Sequence, residues 1–398
     1  MNATYQPSTI KITNHEPNQS KLLQESPNSL IKSLNTTQNR SNQPILHTVQ
    51  QKSADVHDFQ YRGLPRFDDD TDLLWEERCY SMASYFHQYT NISTTEMKSN
   101  LFTVGPLSPT SVSSKDLLYI TGCSSNHFQT NLIMLLHLLY EDFNAPIVFI
   151  SFGLTAKEKT TLFSLFNFIL TLRQQLYSFS AHSLYYREIN WTANPSFLRT
   201  PHYATIYDLK AISTVNIAEE CQCKVFWLDA GDFVGSKFLE LNSMVAADGI
   251  RSRRSRGPIS VLTQKSMLHW FQHKVPSVQP EGIMCSSGFV GLDYHNEEVW
   301  TSIALLWREC LYRPKCIFSK YANKWNHRYE QSALSILVNA YQKKRACSFL
   351  SSDYVVFQGE LVLKQAGYSN YTTALLNKLM KRYRLSAYRS QFNALFLS

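Results

Sequence analysis

The feature that most constrains this chain is a regular alternation of strand-length and helix-length apolar segments between residues 116 and 229. Residues 116–122 (DLLYITG) form a compact apolar run closed by a turn residue. Residues 146–151 (PIVFIS) and 224–228 (KVFWL) repeat the pattern, and residues 184–189 read as a further strand. Between them, residues 128–143 and 203–220 have helical length. A third helix, reaching to about residue 176, opens with Thr155 and Glu158 at the capping-box spacing, in which each side chain satisfies the other's backbone N–H. Strands that lack polar alternation are covered on both faces, and strands joined through helices run parallel. The class predicted is therefore α/β, a mainly parallel mixed sheet of Rossmann-like kind flanked by helices.

Beyond Asp229 the pattern is less regular. Residues 283–292 read as a strand or hairpin carrying Gly288 and Gly291, Asn296 caps a helix reaching to about residue 311, and residues 329–341 form another helix. Residues 353–357 read as a last strand. Residues 1–58 are rich in Asn, Gln, Ser, Thr and Pro and poor in aromatics, too polar to offset the entropy of ordering, and read as a disordered stem. Residues 59–114 read as a linker with one short helix, residues 115–365 as the main domain, and residues 366–398 as a C-terminal amphipathic, basic helix.

Ligands in open α/β sheets sit outside the carboxyl ends of the strands, so residues just after strands are the first candidates. The turn after the first strand (TGCSSNH) supplies Gly122, Ser124, Ser125 and Asn126 as a small polar cradle at a helix N-terminus, suited to a base, ribose or phosphate. The same residues would equally serve as a helix cap. The sharpest local signal is VFWLDAGDF, where an apolar strand delivers Asp229 at its end and Asp232 one turn later. Two carboxylates that converge repel each other unless a cation lies between them, and oxygen ligands favour Mn2+ or Mg2+. Such an ion would bridge the phosphates of a nucleotide-sugar and neutralise the leaving diphosphate. The alternative is a strand end followed by a turn cap.

The order of strands, helices and acidic strand end resembles the GT-A type nucleotide-sugar glycosyltransferases. More closely, the stretches YITGCSSNHF, FWLDAGD, CSSGFVG, WRECLYRPKC and NHRYEQS resemble an uncharacterised invertebrate family, domain of unknown function 1647, which is similar to those enzymes. That resemblance implies a GT-A-like fold over somewhat more than half of the chain, and a sugar transferred from a nucleotide-sugar donor to a glycan or glycoconjugate acceptor. It implies that Lys210 faces the donor phosphates and that Ser287 and Gly288 line the sugar pocket. It further implies that Glu330, followed by Gln331, lies near the acceptor and acts as general base, with Asp293 as rival. The acidic pair departs from the family's D-x-D spacing, being D-x-x-D, which leaves a metal-independent site or a catalytically inactive glycan- or partner-binding protein open.

The formal charge of +8 suits an anionic small-molecule partner, and no nucleic-acid module is visible. A methyltransferase reading of the Gly122 turn ranks last, because Ser151 ends the second strand where an acidic residue would be wanted to meet a ribose. Seven N-x-[ST] triplets, headed by Asn2, Asn18, Asn35, Asn39, Asn91, Asn190 and Asn370, favour the Golgi or another secretory-pathway lumen over the cytoplasm. Roughly the first thirty residues lack an apolar run of signal length, so the expectation is a membrane anchor upstream of Met1. Cys310 and Cys316 flank a short loop and can close a disulfide, whereas Cys221 and Cys223 are expected to seek distant partners or stay as thiols. The basic run RSRRSR at residues 251–256 reads as a solvated loop, and His327 as a cap or core residue rather than a metal ligand.

Overall fold

The computed structural model describes residues 117–177, 184–190, 203–317, 322, 326–356 and 367–396. The expected stem and linker therefore lie outside the described residues. The first half follows the alternation: β1 (Leu117–Cys123), α1 (Phe128–Glu141), β2 (Ile147–Ser151), α2 (Ala156–Tyr177), β3 (Leu184–Glu188), α3 (Tyr203–Cys221) and β4 (Lys224–Asp229). The capping box forms as its spacing predicts. Thr155 N donates to Glu158 Oε2 at 2.8 Å and Glu158 N to Thr155 Oγ1 at 3.3 Å.

The second half adds β5 (Phe233–Val234), α4 (Leu241–Asp248), β6 (Ile250–Pro258), α5 (Lys265–Gln272), β7 (Ile283–Asp293) and α6 (Leu305–Leu311). It continues with α7 (Glu330–Ala340), β8 (Cys347–Ser348), β9 (Val355–Val356), α8 (Tyr368–Arg382) and α9 (Arg389–Phe396). Seven strands form one sheet in the order β3-β2-β1-β4-β7-β6-β8, and β5 pairs with β9 separately. The β3-β2-β1-β4 half is parallel, β7 runs antiparallel to both β4 and β6, and β8 lies parallel to β6. The predicted mixed α/β class, a mostly parallel sheet flanked by helices, is what the chain adopts.

The two-residue period of a strand divides the core. Leu118, Ile120, Val225 and Trp227 face one layer with Ile212, Val215 and Leu334 from α3 and α7. Leu117, Tyr119, Phe226 and Leu228 face the other with Leu135, Leu138 and Leu376 from α1 and α8. Helix α8 is thus docked on α1, with Arg382 3.3 Å from Glu141 and the Tyr371 hydroxyl 2.9 Å from His137 Nε2.

The basic run at 251–256 corrects an expectation. It is not a solvated loop but part of β6, an interior strand between β7 and β8. Arg251 is buried and held by its outer nitrogens: its guanidinium donates to the Arg345 carbonyl at 2.6 Å and to the Ser348 hydroxyl, and pairs with Asp248 at 3.4 Å. Arg254 and Arg256 are exposed. Charge misled the reading because a strand can carry a buried arginine whose outer N–H groups find acceptors far away in the chain.

The cysteines bring a second correction. Cys221 and Cys223 are joined to each other, since Gln222 between them adopts a φ of 49° that folds the backbone back and leaves the two Cα atoms 5.2 Å apart. Cys310–Cys316 pairs as expected. Cys285–Cys347 ties β7 to β8, a bridge across 62 residues that spacing alone could not propose.

Candidate active site

The register sets the site. Gly122 of β1 stands beside Asp229 of β4, and Cys123 beside Ser151 of β2, so the carboxyl ends of three parallel strands open at one edge. Antiparallel β7 runs back past this edge. Leu228 pairs with Phe289, which leaves Gly288 facing the Asp229 carboxylate. The contact is close enough that a Cβ on Gly288 would lie 2.4 Å from Asp229 Oδ2. Glycine is required there to admit the carboxylate.

Asp229 is held from two sides. Trp227, two residues earlier and hence on the same face of β4, donates its indole N–H to Asp229 Oδ1 at 2.6 Å. Lys210 comes from α3, its Nζ 3.1 Å from both Asp229 oxygens and 3.4 Å from Glu330 Oε1. The lysine side chain is only 5% exposed, whereas that of Asp229 is 36% exposed. Burial works to lower the Lys210 pKa, but the carboxylates of Asp229 and Glu330 more than offset it, so the ammonium stays charged.

Glu330 opens α7 and is 2% exposed. Ser287 on β7 donates its hydroxyl to Glu330 Oε1 at 2.7 Å. Burial pushes the Glu330 pKa up, and Lys210 and the Ser287 hydrogen bond pull against that rise. Just before it, Tyr329 takes a φ of 45° and ψ of −119°, a strained conformation for a bulky side chain that turns Arg328 and Glu330 into the same cleft.

These groups line one cavity of about 210 Å3, with Tyr207, Lys210, Asp229, Asp232, Ser287, Gly288, Arg328, Glu330 and Gln331 around it. Six of the residues expected from sequence are thereby brought together: Lys210, Asp229, Asp232, Ser287, Gly288 and Glu330. Asp232 follows Asp229 through a turn closed by Asp232 N to Asp229 O at 2.9 Å. Burial and the neighbouring Asp229 push its pKa well above the carboxylate range, against Lys210 and Arg253.

Others fall elsewhere. Asp293 is corrected outright: it pairs with Lys224 at the opposite end of β4 and accepts the His295 N–H at 2.9 Å, a turn residue remote from the cavity. Gly122 makes room for the strand beside it, since a Cβ would lie 2.3 Å from Ile150 O. Ser124, Ser125 and Asn126 sit at the same edge one strand over, outside this cavity. Ser124 donates to Asn126 Oδ1 at 2.5 Å and Ser125 to Glu158 at 2.6 Å, so these side chains are engaged with one another and with the start of α2. Neither Ser124 nor His127, the residues that precede the helical turns here, makes a side-chain cap. His327 is a core residue, accepting the Gln264 N–H at Nδ1 (3.3 Å) and bonded at Nε2 to Ile317 O (2.9 Å).

The expected divalent ion does not fit this arrangement. The Lys210 ammonium already lies 3.1 Å from both oxygens of Asp229, the first of the two expected ligands. Among the described residues, no three His, Cys, Asp or Glu side chains come together as a ligand set. Sequence reasoning missed Tyr207 and the Trp227 N–H. The latter was accessible, because residues i and i−2 of a strand share a face.

No family model and no curated protein matches the chain. Among solved structures it is similar to the bifunctional glycosyltransferase WbbM, at 12% identity and a TM-score of 0.38, over 74% of this chain and 54% of that one. The chain thus spans about half the length of that protein. It is similar also to the galactosyltransferase LgtC in complex with donor and acceptor sugar analogs, at 10% identity and a TM-score of 0.35, over 58% of this chain and 73% of that one. A third is the mannosyltransferase PcManGT from Pyrobaculum calidifontis in complex with GDP-Man and Mn2+, at 11% identity and a TM-score of 0.23, over 80% and 93%.

Proposed function

We propose that this chain transfers a sugar from a nucleotide-sugar donor to a glycan or glycoconjugate acceptor, within a secretory-pathway lumen such as the Golgi. The observation that carries the reading is the single cleft at the carboxyl edge of the sheet. There Asp229, Lys210, Ser287, Gly288 and Glu330 meet around one cavity. Three disulfides, which persist in oxidising compartments, and an exposed Asn370 in an N-x-T triplet support the lumenal placement.

In this reading the bond between the sugar's anomeric carbon and the diphosphate breaks while an acceptor oxygen bonds to that carbon. The nucleoside diphosphate departs with the electron pair. Glu330 takes the acceptor hydroxyl's proton. Burial raises its pKa and so its strength as a base, and Lys210 keeps the carboxylate available. Ser287 orients that carboxylate, and the bare backbone at Gly288 lets a ligand and Asp229 share the cleft wall.

The test is calorimetric titration of UDP- and GDP-sugars, followed by transfer assays on Glu330→Gln. The expected result is binding of at least one donor, and a turnover reduced by about 10²–10⁴-fold in the variant with donor affinity preserved. Failure of every donor to bind would remove the reading.

One observation favours a second reading, a catalytically inactive glycan- or partner-binding protein. Glu330 is buried and already engaged by Ser287 and Lys210. Donor binding with no transfer and no hydrolysis, unchanged by Glu330→Gln, would establish it.

A further inference from the structure

The mismatch between this cleft and a divalent ion has a consequence for how the donor is held, and it rests on the nucleotide-sugar reading above. We infer that the donor's diphosphate is bound by the Arg328 guanidinium without a divalent ion, Lys210 being the resident cation that a metal would otherwise supply to the carboxylates.

The geometry of Lys210 comes first. An ammonium has three N–H donors, and here its near acceptors are three: both oxygens of Asp229 at 3.1 Å and Glu330 Oε1 at 3.4 Å. Its contacts are complete, its charge sits within the carboxylates, and its ammonium stands over the Tyr207 ring, 4.6 Å from the ring centre. Expelling it to admit an ion would strand a lysine charge in the protein interior. Asp229 Oδ1 is further occupied by the Trp227 indole N–H at 2.6 Å, which leaves it little capacity as a ligand. Asp232, the other half of the acidic pair, is only 7% exposed and follows Asp229 through a tight turn, its N–H 2.9 Å from Asp229 O. The D-x-x-D spacing therefore builds a carboxylate–lysine cluster.

Lys210, being fully engaged, is not the group that meets the phosphates. Arg328 is placed for that task. It lines the same cavity, and its Nε is buried without a hydrogen-bond partner among the described residues. Its backbone is pinned, the N–H donating to Leu262 O at 3.1 Å and to Ser332 Oγ at 3.0 Å. The strained Tyr329 beside it fixes the direction in which the loop projects. A guanidinium that lines a concave site offers paired N–H donors matching phosphate oxygens two at a time and needs no metal to do so.

The experiment is calorimetry on the full chain with pyrophosphate, UDP and GDP as probes, each in EDTA and in excess Mn2+. Expected is binding in EDTA, unchanged within about threefold by Mn2+. Arg328→Gln should weaken it at least tenfold under both conditions, and Arg328→Lys should restore part of the loss, thermal unfolding showing both variants folded. Binding that appears only with Mn2+ overturns the inference and leaves the proposed function standing. So does Arg328→Gln binding as tightly as the parent. Absence of binding under both conditions overturns the inference together with the nucleotide-sugar reading.

Discussion

Asp229 illustrates how little of a side chain's role is visible in its spacing. Its neighbours in space come from β4, β7 and α3, and each imposes a requirement: an indole donor two residues back, a missing Cβ on Gly288, and an ammonium from Lys210. Gly288→Ala therefore tests the site at its tightest point. The added methyl would meet Asp229 Oδ2 at 2.4 Å, so the carboxylate or the strand must shift. Expected is a stability loss of about 1–3 kcal/mol from overpacking. Nucleotide binding should fall more than that loss of folded protein explains, as read by denaturation and calorimetry side by side. Which candidates were legible follows from the same contrast. Lys210, Asp229, Asp232, Ser287, Gly288 and Glu330 were accessible because strand ends and helix starts in an α/β sheet converge on one edge. Asp293 was misplaced because its position depends on β7 running antiparallel, which inverts its end of the sheet relative to Asp229.

Single elements were read with uneven success, and the reason is physical. Strands β1, β2 and β4 are buried on both faces, so their apolar composition announces them, whereas β3 is a half-buried edge strand. β6 is interior too, but its Arg251 and Ser252 bond to long-range partners, Arg345, Ser348 and the Ser286 carbonyl, that no local pattern contains. The Cys285–Cys347 bridge belongs to the same category. It clips the strand bearing Ser286, Ser287 and Gly288 to β8, and closing a loop of that length removes unfolded-chain entropy worth about 4 kcal/mol in the simple chain model. Cys285→Ser with Cys347→Ser should lower stability by about 2–4 kcal/mol in oxidising buffer, measured by urea unfolding. The difference from the parent should shrink when both are reduced. At α2, Thr155→Ala removes one half of the capping box and should cost about 1 kcal/mol by the same assay.

For the whole molecule, two histidines link folding to pH. Burial pushes His137 down to about 3 and His327 down to about 4. An unfolded histidine titrates near 6.5, so between that value and the folded pKa the unfolded chain binds more protons. Their contribution is therefore complete above pH 6.5 and is lost as pH falls toward 4 and 3. At pH 5 the loss is about 2 kcal/mol per histidine. Glu141, pushed up to about 7 by burial, acts in the opposite sense, as do Asp208 and Asp232. The informative quantity is thus a difference: between pH 7.5 and pH 5, His137→Gln should lose about 2 kcal/mol less stability than the parent in urea titrations.

Apolar periodicity alone determined the fold class, the extents of the first four strands, the capping of α2 and the edge of the sheet where chemistry would collect, because burial of strands and the spacing of caps are local properties written into neighbouring residues. Only the tertiary structure decided that β6 lies inside the sheet, that Cys285 meets Cys347, that Asp293 is remote, and that Lys210 rather than an open space separates Asp229 from Glu330. Each of those depends on groups many residues apart in the chain, and the free energy of a buried charge depends on every partner around it.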